Sequence, residues 1–381
     1  MKIAYDGKRA IRNFTGLGNY SRLVIETMSE AYPSDDFLVY TPDMRPNDRL
    51  DTILGRDNVV MRMPDRYWIL PKAAWRSWGV TTQARKEGVE LYHGLSNELP
   101  FNIFRSPIAS VVTIHDVIYR RMPECYKPID RQIYDFKYGF AARHADRVIA
   151  ISEATRRDVM ELYGVPENRI DVIYQGCSPL FNRDVSLDER RSLREKLHLP
   201  PRYLIQVGSI EKRKNLELSL RALSALPDDI HLVAVGAGKA YLKEMRALAS
   251  ELGVGKRLHI KEKIPFSQLP ALYQMSLASL YPSHYEGFGI PVLEALTCGV
   301  PTVTSTTSSL PEAGGNAAFL VHPTDVKEMV AAINAILAGG PEIETRRRQG
   351  RVHAARFSAH DIAPRIYQTY LKAIQHHSKN R

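Results

Sequence analysis

The chain repeats one rhythm twice: a short apolar run of strand length, then a segment with helical spacing, then another apolar run. Such alternation is the mark of βαβ units, because parallel neighbours need a crossover segment between them. In the first half, strands are expected near Lys2 to Tyr5, Phe37 to Thr41, Leu91 to His93, Ile108 to Ile114 and Arg147 to Ile151. Helices are expected near Asn19 to Ala31, Arg76 to Glu87, Asp130 to His144 and Glu153 to Tyr163. The second half restarts, with strands near Tyr203 to Val207, His231 to Val235, Leu258 to Ile260, Ala278 to Tyr281 and Thr302 to Thr304. Helices near Leu216 to Leu226, Tyr241 to Leu252 and Leu269 to Met275 separate them. A turn-rich, charged stretch from Gln175 to Pro201 lies between the halves and reads as a linker plus an opening helix. At 381 residues the chain exceeds a typical single core. Two doubly wound α/β domains are the simplest outcome.

Composition narrows the function classes. With 44% apolar and 25% charged residues the chain is of ordinary globular make-up, and no run approaches the roughly 18 apolar residues needed to cross a bilayer. Met1 leads straight into an apolar strand pattern rather than a long signal-type run. Cys125, Cys177 and Cys298 lie far apart without metal-type spacing, so they read as buried small hydrophobes in a reducing, cytoplasmic setting. The net charge of +10 calls for an anionic partner or serves solubility. Much of the excess falls between Arg120 and Arg157, without any nucleic-acid recognition motif. An anionic lipid surface is one reading of that basic face, with the protein peripheral on the inner membrane face; a solvated surface without a fixed partner is the other.

The densest chemical signal is His284-Tyr-Glu-Gly-Phe-Gly-Ile-Pro-Val-Leu-Glu-Ala-Leu-Thr-Cys-Gly-Val-Pro301, which sets Glu286 and Glu294 apart by seven intervening residues. Glu286 falls on a Gly-rich turn after a strand, and Glu294 on a helix that Pro291 is placed to start. Free N–H groups at a helix start attract an anion, while Gly287 and Gly289 let backbone approach a ligand. Carboxylates accept only, so beside a phosphate they suit neutral donors such as sugar hydroxyls.

This stretch resembles the E-x7-E signature of retaining glycosyltransferases of GT4 type, which have the GT-B fold. The resemblance implies that Glu286 contacts the transferred sugar and that Glu294 holds the ribose diol, with Gly287, Phe288, Gly289 and Ile290 forming the rest of that wall. It implies two Rossmann-like domains facing an interdomain cleft. The first is acceptor-side, residues 1–178 with a returning helix at 361–381; the second binds nucleotide-sugar, residues 179–360. Apolar spacing from Ile362 to Ile374 suits that returning helix. Gly208-Ser-Ile-Glu-Lys-Arg-Lys-Asn215 resembles the family segment that supplies phosphate-binding cations, here Arg213 and Lys214. Relatives also place the nucleobase against backbone matching Lys263 and Ile264, and a histidine matching His115 near the donor sugar and reaction centre. Gly16-Leu-Gly18 matches their flexible loop that closes over the donor, with Gly16 and Gly18 offering backbone N–H groups. Tyr67, Trp68, Trp75 and Trp78 are aromatics for the acceptor side, or core.

The expectation is therefore a metal-independent hexosyltransferase without a cofactor. It would move a hexose, with mannose from GDP-mannose the lean, to a glycan or lipid-linked acceptor in bacterial surface-polysaccharide synthesis. Alternatives are a GT-B-like sugar-nucleotide epimerase and a nicotinamide oxidoreductase. The latter rests on Gly16 to Ser21 with Asp43 as ribose ligand.

Overall fold

The computed structural model describes residues 1–13, 15–44, 50–65, 68–69 and 71–379. It divides into two compact units, Met1–Gln175 with Ala359–Arg381, and Gly176–Ser358. The first is built on β1 (Lys2–Asp6), β2 (Asp36–Tyr40), β3 (Val59–Arg62), β4 (Leu91–Gly94), β5 (Ala109–Ile114), β6 (Arg147–Ala150) and β7 (Ile170–Val172). These pair in parallel in the order β3-β2-β1-β4-β5-β6-β7. The second carries β8 (Tyr203–Val207), β9 (His231–Val235), β10 (Leu258–Lys261), β11 (Ala278–Tyr281), β12 (Thr302–Ser305) and β13 (Phe319–Val321). Their order is β10-β9-β8-β11-β12-β13, again parallel.

Both faces of each sheet are covered, which is why the strands read as nearly unbroken apolar runs. Alternate side chains feed separate cores: Ile3 and Tyr5 enter one and Ala4 the other, as Tyr203 and Ile205 do opposite Leu204. Sequence periodicity misses β3, β7 and β13, edge strands of three or four residues that are too short to show a pattern. The Arg76–Glu87 helix expected from spacing starts instead with a π turn, Trp75–Gly79, before the α-helix Val80–Lys86. Among the aromatics, Trp75 is core, Trp68 packs against that core, and Trp78 is exposed; Tyr67 lies outside the described residues. Cys298 is buried and Cys177 half-buried, but Cys125 is exposed, so the buried reading fails for that residue, which sits on a surface turn. Among the described residues, no helix is long and apolar enough to cross a membrane.

The last helix, Ala359–Lys379, belongs to the first unit. Its Ile362, Ala363, Ile366, Tyr370 and Ala373, spaced as one helical face, join the core that holds Ile3, Tyr5 and Val24. A buried polar chain fixes its register. Tyr370 Oη lies 2.8 Å from His93 Nδ1 and donates to Tyr5 Oη, while His93 Nε2 lies 2.8 Å from Thr113 Oγ1. Burial, helped slightly by His115, pushes His93 down to about 3, so it stays neutral and bonds through both nitrogens.

Candidate active site

Strand order reverses between β8 and β11, so the crevice beyond their carboxyl ends is where an open parallel sheet takes a ligand. Two loops line it. After β8 the chain makes a single turn, Lys212–Lys214, and Asn215 then adopts a left-handed φ of 57°. Asn215 pins both loops: its Nδ2 donates to Pro282 O at 2.9 Å and Pro323 O at 2.7 Å, and its Oδ1 caps the helix Leu216–Leu223. Gln206 Nε2 donates to Lys214 O at 2.8 Å, and His284 N to Arg213 O at 2.9 Å. After β11, Glu286 N donates to Ser308 Oγ, and Ser309 Oγ donates to the carbonyls of Glu286 and Phe288, each at 2.9 Å. Ser308 and Ser309 hold the Gly-rich turn, yet nothing in their sequence setting marks them.

These loops bring three residues singled out from sequence onto one point. Lys214 Nζ lies 2.6 Å and an Arg213 nitrogen 2.7 Å from the same oxygen, Glu286 Oε1. Tyr281 Oη donates to it at 3.1 Å, and Lys214 Nζ sits 4.7 Å from the centre of the Tyr281 ring. Arg213 also donates to Tyr285 O at 2.9 Å and pairs with Glu211 at 2.7 Å. Burial would raise the Glu286 carboxyl, but Lys214 and Arg213 outweigh it and hold the group at about 2. Glu286 is therefore ionised at any working pH and cannot serve as a general acid. Burial lowers Lys214, with Glu286 opposing; burial also opposes the charge on Arg213, but Glu286 and Glu211 raise it above its ordinary value.

Glu294 has a different environment. It lies on the helix Ile290–Thr297, which opens at Gly289 without a side-chain cap; Pro291 has no N–H and Val292 N donates to Gly289 O at 2.9 Å, so the Ile290 N–H is what its first turn offers another acceptor. Glu294 is only 6% exposed, and its carboxylate accepts from Tyr273 Oη at 3.0 Å. Burial lifts it to about 7, against the Tyr273 hydrogen bond that lowers it. One glutamate is thus held charged by two cations, while its neighbour in sequence is costly to ionise.

The glycine residues have separate duties. Gly289 has φ +112°, and a Cβ there would meet Leu310 Cδ2 at 2.8 Å. Gly208 has φ +145°, and sequence reasoning missed its partner Gly236, where φ is +151° and a Cβ would stand 1.9 Å from Gly208 O. Gly236→Ala therefore forces two backbone segments apart at the ends of β8 and β9. We expect a loss of about 3 kcal/mol in chemical denaturation, with Gly253→Ala, a left-handed glycine with open space around it, costing less. Phe288 is buried and its ring lies 5.4 Å from that of Phe357. Lys263 is exposed with a left-handed φ of 56°, and Ile264 beside it packs on the core that holds Tyr273.

In the first unit, His115 follows β5 and is buried. Its Nε2 donates to Leu95 O at 2.8 Å and its Nδ1 accepts from Gln175 Nε2 at 2.8 Å, while its N–H donates to Asn97 Oδ1 at 2.7 Å. Burial pushes the ring down to about 4, with the Leu95 bond opposing. Both ring nitrogens are hydrogen-bonded within the first unit, which holds His115 in place at the end of β5. Gly16 and Gly18 differ from expectation: they form the first turn of the helix Gly16–Ala31 rather than a loop. Gly18 N donates to Asn13 Oδ1 at 3.3 Å, and a Cβ there would lie 1.8 Å from Asn13 O. The short helix Lys8–Arg12 separates them from β1, unlike a dinucleotide fingerprint. Asp43 is paired with Arg12 and Lys72, which lower it, Arg12 foremost. The features that favoured a nicotinamide site are thus occupied otherwise.

A Glycosyltransferase Family 4 model matches residues 22–179, and a Glycosyl transferases group 1 model matches residues 189–353. O-antigen chain mannosyltransferase B of Escherichia coli is 29% identical over 286 residues, 74% of this chain and 74% of its own length. The serotype-specific mannosyltransferase WbdA of Escherichia coli is 28% identical over 292 residues, 74% of this chain but 36% of that longer protein. The crystal structure of Anabaena Alr3699/HepE in complex with UDP superimposes with a TM-score of 0.75 at 20% identity, covering 97% of this chain and 99% of that one, a likeness of fold. With the two family models together spanning most of the sequence, and two Rossmann-like units beneath them, the chain belongs to the GT4-type glycosyltransferases of GT-B fold.

Proposed function

We propose that the protein is a retaining, metal-independent hexosyltransferase that moves mannose from GDP-mannose to a glycan or lipid-linked acceptor hydroxyl in bacterial surface-polysaccharide synthesis. The observation that carries the reading is the convergence of Arg213 and Lys214 on one carboxylate oxygen of Glu286. When the bond from the anomeric carbon to the diphosphate breaks, negative charge grows on the leaving oxygen. Two half-buried cations already held at the site stabilise that charge as the diphosphate replaces Glu286 as their partner. Glu286, freed in part as the diphosphate engages the same cations, turns its acceptors to the sugar hydroxyls. Glu294 accepts from the ribose diol, and the uncapped start of Ile290–Thr297 with Gly287 to Gly289 faces the diphosphate. Backbone at Lys263 and Ile264 receives the base. The mannose lean draws support from the names of the relatives.

A thermal-shift screen of GDP, UDP, ADP and NAD tests the reading. A ligand at a hundredfold its Kd stabilises by about 2.7 kcal/mol, and GDP is expected to give the largest rise. Product analysis by NMR with GDP-mannose, with and without a chelator, is expected to show retained anomeric configuration and unchanged rate. Stabilisation by NAD alone, or free sugar released without an acceptor, would overturn it.

A further inference from the structure

Many cations of the basic stretch from Arg120 to Arg157 are neutralised inside the first unit: Arg120 by Asp135, Arg121 by Asp158 and Glu161, Arg147 by Asp171, Arg156 by Glu153 and Glu167. The basic face expected from sequence is therefore smaller than its count. Arg131 is an exception. Among the described residues it pairs with no carboxylate, and it lines a surface cleft of about 330 Å³ with Tyr119, Arg120, Pro123, Gln132 and Asp135.

Two segments make this cleft. After β5 and His115 the chain forms the short helix Ile118–Arg121 and the turn Pro123–Cys125, and the first half of the helix Pro128–His144 supplies the other wall. Tyr119 comes four residues after His115, so one wall grows out of the carboxyl end of β5, the side of a parallel sheet on which ligands sit. Arg131 and Asp135 are four apart on their helix and share a face. The walls are stiff. Arg120 grips Asp135 through two parallel bonds, Nε to Oδ1 at 2.5 Å and Nη2 to Oδ2 at 2.7 Å, and Tyr119 Oη donates to the same Oδ1 at 3.1 Å. Behind them the Tyr119 ring packs edge-on against Tyr134 and Tyr138, at 5.9 and 5.7 Å between centres, and those two rings stack at 5.4 Å. A site held this way loses little freedom when a ligand enters.

The lining says what that ligand is. Arg120 keeps Nη1 outside its carboxylate pair, Arg131 offers a second donor fork, Gln132 offers an amide with donors and an acceptor, and Asp135 has spare lone pairs. Donors and acceptors side by side on planar groups match the neighbouring hydroxyls of a sugar ring, each of which both gives and takes a hydrogen bond. A phosphate fits worse, because the Asp135 carboxylate stands in the lining and repels an anion. An apolar ligand would leave the donor forks unpaired. The volume is at the small end of the range of about 300–1,000 Å³ for ligand sites, so the cleft takes a short piece of a glycan and not a whole chain.

We propose that this cleft is a glycan-holding subsite of the first unit, taking an inner mannose unit of the acceptor while the end of the chain is extended elsewhere. It rests on the reading of the acceptor as a mannose-containing glycan. Holding a chain by an inner unit raises the concentration of its end at the reaction centre, so longer acceptors gain affinity without a new contact there. The enzyme then favours chains already begun over short primers.

The test uses the full chain with α1,2- and α1,3-linked mannopentaose, and mannobiose for comparison. Saturation-transfer NMR without donor is expected to show mannopentaose bound, and about 10-fold more weakly by Arg131→Ala with Gln132→Ala. The thermal midpoint of that double variant should match the parent, because neither side chain makes a hydrogen bond or ion pair among the described residues. In turnover with GDP-mannose, it is expected to lose about 10-fold in kcat/KM for mannopentaose relative to mannobiose, through KM and not kcat. Arg131→Lys, which keeps the charge and loses the fork, is expected to fall between parent and double variant. Equal affinity of parent and double variant for mannopentaose overturns the subsite. So does binding of inorganic phosphate or mannose 6-phosphate at Arg131 with no binding of mannopentaose. A parent that turns over neither acceptor counts against the transferase reading instead, while donor-free binding at Arg131 still decides the subsite.

Discussion

Lys214→Met is expected to lower kcat and kcat/KM for the donor together, by about 10²–10³-fold, with KM little changed. The ammonium lies 2.6 Å from Glu286 Oε1 and against the Tyr281 ring, so its charge is directed rather than diffuse. An interaction that grows only as the diphosphate leaves acts on the transition state and hardly on the ground state. Removing one cation also leaves Glu286 with Arg213 alone, and breaking a buried pair costs about 3–5 kcal/mol. The kinetics must therefore be read on the fraction that remains folded, checked by near-ultraviolet circular dichroism. An unchanged kcat in folded Lys214→Met would remove the leaving-group role.

Glu294→Gln is expected to separate stability from binding. The carboxylate is the acceptor assigned to the ribose diol, and hydrogen bonds to a charged group contribute about 1.5–3 kcal/mol, so GDP affinity by calorimetry should fall about 10²-fold. Stability should move the other way. The group lies near 7 when folded against an ordinary 4.5, so the folded protein binds the extra proton between those values. The stability linked to that proton is present below the unfolded pKa and is lost as pH rises through 7. Gln keeps the Tyr273 donor satisfied without a buried charge. At pH 8 the variant should therefore unfold at higher temperature than the parent, by about 1–3 kcal/mol in stability, with the gap closing toward pH 5. A variant that binds GDP normally would remove Glu294 from the nucleotide site.

The strands legible in the sequence are those with apolar residues on both faces, such as Ala109–Ile114, where all six residues are buried. The edges escaped because a strand such as Ile170–Val172 offers one fully buried residue and no repeat. Glu286 and Glu294 stood out because a Gly-rich turn and a helix opened by Pro291 carry them, and Arg213 and Lys214 because their segment resembles a family motif. Their mutual pairing was not legible, since the sequence separation between Lys214 and Glu286 hides that two loops share Asn215. Gly16 and Gly18 misled for a physical reason. A glycine pair suggests a mobile loop, whereas here Gly18 is small because a helix start packs against the carbonyl of Asn13. Tyr273 and Tyr281 carry hydroxyls to the two glutamates, but a tyrosine in an apolar run reads as core.

The returning helix has a consequence for biogenesis. The unit that the ribosome begins first cannot be finished until the last helix, Ala359–Lys379, has left the exit tunnel. At roughly 5–20 residues per second, translation of the intervening second unit leaves Tyr5, His93 and Val24 without their cover for about 10–40 s. Throughout that interval the nascent chain carries an open apolar seam, so a stop codon just before the last helix would yield a client for chaperones and proteases rather than a weakened enzyme.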